Sequence, residues 1–132
     1  MKIKYRGPYV WPKGHYNDAG HDVINPYDIE IRPHESVAIN TEMTVFLPDG
    51  TMGIMMPRSS LSKMGLICNM SPIDAGYRGK VHVLMTNNSN ECIELVAGQK
   101  ICNFVVVPII DCDLVRNLGN ERGSDAFGST GL

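Results

Sequence analysis

Apolar and polar positions along the chain change places over short intervals. Ile29-Glu30-Ile31, Ser36 to Ile39, Thr44 to Leu47, Thr51 to Met56, Lys80 to Met85 and Ile101 to Val107 each carry β-type runs rather than helical ones. Turn chemistry separates them, most clearly at Pro48-Asp49-Gly50 and Asn87-Asn88-Ser89-Asn90, which favours hairpins between neighbouring strands. No stretch long enough for a substantial helix keeps a 3.6-residue period free of Gly or Pro, and only Ser59 to Met64 predicts a turn or two of helix. Many short strands with tight connections predict an all-β sandwich or barrel. After Pro108 the apolar density falls, and Asn117 to Leu132 is polar and glycine-bearing without periodicity. The expected organisation is therefore a β domain over 1–116 followed by a C-terminal arm over 117–132.

Composition narrows the class of ligand. With 132 residues, 43% of them hydrophobic, the chain suffices for one ordinary core. A formal net charge of -2 and the absence of any Lys/Arg run argue against nucleic acid or an anionic membrane as partner. The basic start, Met1 to Arg6, has no apolar stretch of signal length behind it, and an intracellular, cytoplasmic protein is expected. Cys68, Cys92, Cys102 and Cys112 form no C-x-x-C pair, stand in or beside apolar runs and are expected to be buried free thiols. His15, His21, His34 and His82 are too scattered for a zinc cluster, so any metal is expected to be held through oxygen.

Four segments carry candidate chemistry. In the tail, residues 123–130 come close to a phosphate-binding P-loop, but Ser129 stands at the lysine position and no helix can follow, which excludes a true P-loop. Its physics survives: Gly128 and Gly131 open the backbone to an anion, Ser129 and Thr130 add hydroxyls, and Arg122 can fork onto phosphate oxygens. Phe127, with little apolar company, is suited to stacking on a base. The second segment, Pro57-Arg58-Ser59-Ser60-Leu61-Ser62, combines a cation with hydroxyls, although such serines also serve as plain helix caps. Asn69 to Val81 holds Asp74 and Tyr77 within what reads as a hairpin turn. An ordinary Asp pKa of ~3.9 leaves Asp74 ionised at neutral pH and able to accept a proton from water. The last, Ala19-Gly20-His21-Asp22-Val23, opens an early strand with a glycine and a carboxylate.

Together with Gly98-x-Lys100-Ile101, these four segments resemble in order and spacing the five motifs of the homotrimeric dUTP pyrophosphatases. The matching residues are Ala19-Gly20-x-Asp22, Pro57-Arg58-Ser59-Ser60, Ile73-Asp74-x-x-Tyr77-Arg78-Gly79, Gly98-x-Lys100-Ile101 and Arg122-Gly123-x-x-Ala126-Phe127-Gly128-Ser129-Thr130-Gly131. The resemblance implies a distorted jelly roll, a homotrimer with sites shared between subunits, and hydrolysis of dUTP to dUMP and pyrophosphate. It implies Asp74 as the base for in-line water attack on the α-phosphorus and Tyr77 as the residue that excludes a 2′-hydroxyl. Uracil would be read by Asn69, Pro72, Ile73 and the backbone near His82. Arg58, Ser59 and Ser60 would hold the phosphates, with Asn103 reaching toward the water and α-phosphate. Arg122, Phe127, Gly128, Ser129 and Thr130 would close over base and phosphates. Mg²⁺ would bridge the triphosphate, with Asp22 binding it through water.

The chain also departs from that pattern. Ser71 replaces a glycine ahead of Asp74, the approach from Asn69 is one residue short, and Pro72 has no N–H to donate to a uracil carbonyl. Lys100 replaces an arginine, Asn103 a glutamine and Ala126 a glycine. The related dCTP deaminases need a glutamate where this chain has Leu84 and carry an arginine where it has Lys63, which disfavours deamination. A non-catalytic, nucleotide-sensing or protein-binding relative would be expected to lose the base or the arm, whereas Asp74, Asp22, Arg122 and Thr130 are all present.

Overall fold

A computed structural model describes residues 1–119. Eleven strands and one short helix follow in the order β1 (Lys4–Arg6), β2 (Gly20–Ile24), β3 (Ile29–Ile31), β4 (Ser36–Asn40), β5 (Thr44–Phe46), β6 (Thr51–Pro57), α1 (Ser59–Lys63), β7 (Leu66–Cys68), β8 (Pro72–Asp74), β9 (His82–Asn87), β10 (Ile93–Leu95) and β11 (Lys100–Pro108). Every pairing is antiparallel. A four-stranded sheet runs β2-β11-β6-β8, a three-stranded sheet runs β4-β9-β7, and β1-β5 and β10-β3 form two-stranded ribbons. The architecture is the expected all-β, distorted jelly roll. No helix among the described residues is long and apolar enough to cross a membrane.

Alternation places the core. Met43, Val45 and Leu47 along β5 point inward, as do Val81, Val83 and Met85 along β9, while His82 and Leu84 between them face outward. Ile31, Ile39, Met55, Leu66, Leu95 and Ile101 complete one buried cluster. Trp11, outside any strand, closes it by packing on Phe104 with ring centroids 5.5 Å apart and planes tilted 55°.

Four three-residue strands lie outside the runs that the alternation pattern predicts: β1, β7, β8 and β10. The most consequential is β8. Part of the segment read as a hairpin turn is an edge strand, with Pro72, Ile73 and Asp74 opposite Ile54, Gly53 and Met52. Pro72 is tolerated because β8 has a neighbour on one side only. The cysteines also depart from expectation. Cys68 and Cys102 are buried free thiols, but Cys92 and Cys112 are exposed, one in the turn before β10 and the other beyond the last strand.

Three buried polar side chains pin the corners where strands change sheets. Asn25 donates to the carbonyl of Val96 at 3.0 Å and also to that of Tyr27. Thr41 donates its hydroxyl to Val81 at 2.6 Å. Asn87 donates to Ile31 and Glu91 at 2.9 and 2.8 Å and accepts from the N–H and hydroxyl of Ser89 at 2.9 and 2.7 Å. The expected Asn-rich turn is thus organised from inside the core by its first residue. Asn87→Ala removes a buried donor from the Ile31 and Glu91 carbonyls and the acceptor of the Ser89 N–H, and is expected to lower the unfolding free energy by about 2–3 kcal/mol, read as an earlier urea denaturation midpoint.

Candidate active site

Two groups of candidate residues lie on different parts of the chain. Central strand β11 assembles the first. Asn103 stands opposite Asp22 on β2 and Met56 on β6, and Arg58 follows directly after β6. Asp22, Arg58 and Asn103 line one cavity of about 400 Å³ together with Gly14, Asp18 and Gly20. Lys100 ties this group together. Its ammonium lies 3.3 Å from an Asp22 oxygen, and its carbonyl accepts a hydrogen bond from Arg58 Nη1 at 3.1 Å.

Gly20 sets how closely this cluster packs. A Cβ there would come within 2.8 Å of the Phe104 carbonyl oxygen and 2.9 Å of a Val105 methyl, so any side chain would push β2, and Asp22 with it, away from β11. Ser59 and Ser60 begin α1 and are exposed. Arg58 occupies the N-cap position with no side-chain cap, so neither serine is consumed in capping the helix.

The second group surrounds β8. Asp74 ends the strand with an exposed side chain, and its carbonyl accepts the N–H of Tyr77 at 3.1 Å, closing the turn. The Tyr77 hydroxyl donates to the Lys80 carbonyl at 2.7 Å. Its ring lies directly over Gly79, where a Cβ would stand 2.5 Å from the phenol oxygen and 2.7 Å from the carbon that bears it. The spacing Tyr77-x-Gly79 therefore has a steric cause. Arg78 sits over the Phe46 ring at 5.4 Å and donates to the Ala75 and Tyr77 carbonyls, bracing the turn against β5. At the approach to β8, Asn69 donates its N–H to Leu84 at 2.9 Å and its side-chain amide to Thr86 at 3.2 Å. His82 directs Nδ1 toward the Lys80 carbonyl at 3.0 Å.

Within one chain these groups do not meet along the sheet. Asp74 pairs with Met52 near the start of β6, whereas Arg58 follows its end. At about 3.3 Å per residue the separation along the strand is roughly 20 Å. Among the described residues no three His, Cys, Asp or Glu side chains converge as a metal cluster. Arg122, Phe127, Gly128, Ser129 and Thr130 lie outside the described residues.

A family model described as dUTPase matches residues 9–131. The chain belongs to the dUTPase family. It is 39% identical over 122 residues to a deoxyuridine 5′-triphosphate nucleotidohydrolase of Cutibacterium acnes, covering 87% of this chain and 80% of that protein. In three dimensions this dUTPase-family chain resembles the dUTPase of Staphylococcus bacteriophage 80alpha solved with dUpNHpp, with TM-score 0.87, 22% identity and 99% of each chain covered. It also resembles the dUTPase of phage phi11 of S. aureus, with TM-score 0.84, 23% identity and 90% and 98% of the two chains covered. The latter is described as coordinating a structural Mg(II) ion.

Two contributions went unrecognised in the sequence. Lys100 stood out only as a replacement for an arginine, and Gly79 only as the end of a motif; the close approach of Tyr77 to Gly79 and the bridging by Lys100 require the folded chain. Gly79→Ala should displace the Tyr77 ring. Steady-state kinetics are expected to show kcat/KM for dUTP falling by about 10²-fold, as for a misplaced site group, with the thermal midpoint little changed because the turn is exposed.

Proposed function

We propose that this chain is a dUTP diphosphatase, hydrolysing dUTP to dUMP and pyrophosphate, and that Asp74 and Tyr77 of one subunit meet Asp22, Arg58 and Asn103 of another. The activity is that named for its curated relative. The observation that carries the arrangement is the separation of the two groups along β6, since a site needing both must be completed by a second copy of the chain. A homotrimer supplies that copy by closed symmetry. Further support comes from residues 109–119, where Ile110, Leu114, Val115 and Leu118 are more than four-fifths exposed, an apolar surface that an assembly would cover.

Asp74 takes a proton from a water as it attacks the α-phosphorus in line; its solvent-facing carboxylate at the end of β8 supports that reading. Tyr77 has its hydroxyl committed to Lys80 and offers the sugar a ring face rather than a polar group. It therefore excludes a 2′-hydroxyl by bulk. The N–H of Asn69 is engaged with Leu84, its backbone carbonyl with the Ser71 hydroxyl and its side-chain amide nitrogen with Thr86, so its contribution to uracil recognition falls to its side-chain oxygen. Pro72 has no N–H to offer, which leaves Ile73 and the backbone near His82 as the remaining contacts of this hairpin.

Arg58 and the uncapped hydroxyls of Ser59 and Ser60 hold the phosphate chain, and Asn103 directs its amide toward the attacking water and α-phosphate. From the arm, Arg122, Gly128, Ser129 and Thr130 close on the phosphates and Phe127 on the base. A hydrated Mg²⁺ fits the first group, because the cavity carries carboxylates at Asp22 and Asp18, fewer than an all-protein cage needs, and a triphosphate brings its own oxygen ligands. When bound, the ion would spread the negative charge of the triphosphate, with Asp22 holding its waters.

Asp74→Asn is expected to lower kcat by at least about 10³-fold while Mg²⁺-dependent dUTP binding, measured by calorimetry, stays close to wild type; an equal loss of binding would argue against the base role. Wild-type protein assayed with dUTP, dTTP, dCTP and UTP should release pyrophosphate from dUTP alone at a substantial rate, and no ammonia from dCTP. Sharing between subunits makes a separate prediction. Inactive Asp74→Asn and Arg58→Ala proteins, unfolded together and refolded as mixed oligomers, should regain part of the activity, whereas sites confined to single subunits would remain silent.

A further inference from the structure

Glu42 stands two residues beyond β4 with φ of +64°, a conformation disfavoured for any residue bearing a Cβ. Backbone and side-chain bonds on both flanks hold it there. Thr41 donates its N–H to the Val81 carbonyl at 3.0 Å, Val81 returns its N–H to Met43 at 2.7 Å, and the Glu42 N–H is capped by the Asn40 side chain at 2.8 Å. This register sets Glu42 beside Lys80. One carboxylate oxygen meets the Lys80 ammonium at 2.6 Å, and the other accepts the hydroxyl of Tyr27. Lys80, followed by Tyr27, holds the Glu42 carboxyl below the ordinary range, so it is ionised at neutral pH. Tyr27 itself is anchored through its carbonyl to the buried side chain of Asn25.

The far side of Lys80 faces the second group of site residues, because its carbonyl accepts the Tyr77 hydroxyl and adjoins His82 Nδ1. We propose that Glu42 is a positioning residue for sugar selection: gripped by Tyr27, it clamps Lys80 and so fixes the carbonyl that sets the angle of the Tyr77 ring. The proposal rests on the reading of Tyr77 as the deoxyribose contact. An exposed ion pair contributes little to stability. The consequence of this one is geometric, since both carboxylate oxygens are engaged and the Lys80 side chain cannot swing without releasing one of them.

The test is the ratio of kcat/KM for dUTP to that for UTP, measured with thermal midpoints for each variant. Glu42→Gly removes the carboxylate while suiting the positive φ, so the midpoint should hold or rise. The ratio should fall about tenfold, less than the hundredfold that a misplaced reacting group costs. Tyr27→Phe should give a smaller fall, and the exchanged pair Glu42→Lys with Lys80→Glu should recover much of the ratio. A Glu42→Gly protein with an unchanged ratio, or with equal losses for both nucleotides, overturns the proposal. Tyr77→Ala separates the two levels: a collapsed ratio there beside an intact one in Glu42→Gly rejects the clamp alone, whereas an intact ratio in Tyr77→Ala rejects the sugar contact and the clamp with it.

Discussion

Strand β6 acts as a fixed spacer between the two halves of the site. Its residues are paired on both sides, with β11 along its whole length and β8 at its start, so the distance from Met52 to Arg58 cannot be shortened without breaking ladder bonds. Asp74 is bonded in register to one end, while Arg58, Asn103 and Asp22 are gathered at the other. The chemistry proposed for this family member then follows from a length. On the proposed reading, two groups held roughly 20 Å apart along one chain cooperate across a subunit boundary, and the proposed trimer is the assembly that would bring them together.

Around that spacer the fold uses a few buried polar side chains in place of long regular elements. Asn25, Thr41 and Asn87 are fully buried, and each adds side-chain hydrogen bonds to backbone carbonyls at its corner. Short strands cannot stabilise such corners by ladder bonds alone. The polar pins let the chain pass between sheets while the apolar residues of β9 and β11 keep one continuous core.

Much of this was legible in the sequence. Alternation located the longer strands β6, β9 and β11 closely, because each has enough residues for a period of two to register. It failed for β1, β7, β8 and β10, short strands that their pairing partners define. The segment from Asn69 to Asp74 illustrates the cost: Pro72 reads as a turn residue, and only the edge position of β8 makes it a strand residue. Candidate site residues followed from motif chemistry, but their division into two groups did not, since register is a property of pairs. Lys100 and Glu42 were obscure for a related reason. Each acts through a partner far away in sequence, Asp22 in one case and Lys80 in the other. The exposed Cys92 and Cys112 show the limit of inferring burial from apolar neighbours at the end of a run.

The separation along β6 also bears on how output responds to abundance. If neither half-site works without its counterpart from another copy, the working unit is the assembled oligomer, and turnover per chain depends on protomer concentration as well as on substrate. At low expression, halving the amount of protein would more than halve the rate. Dilution would then act as a brake built into the geometry of a single strand, without any effector.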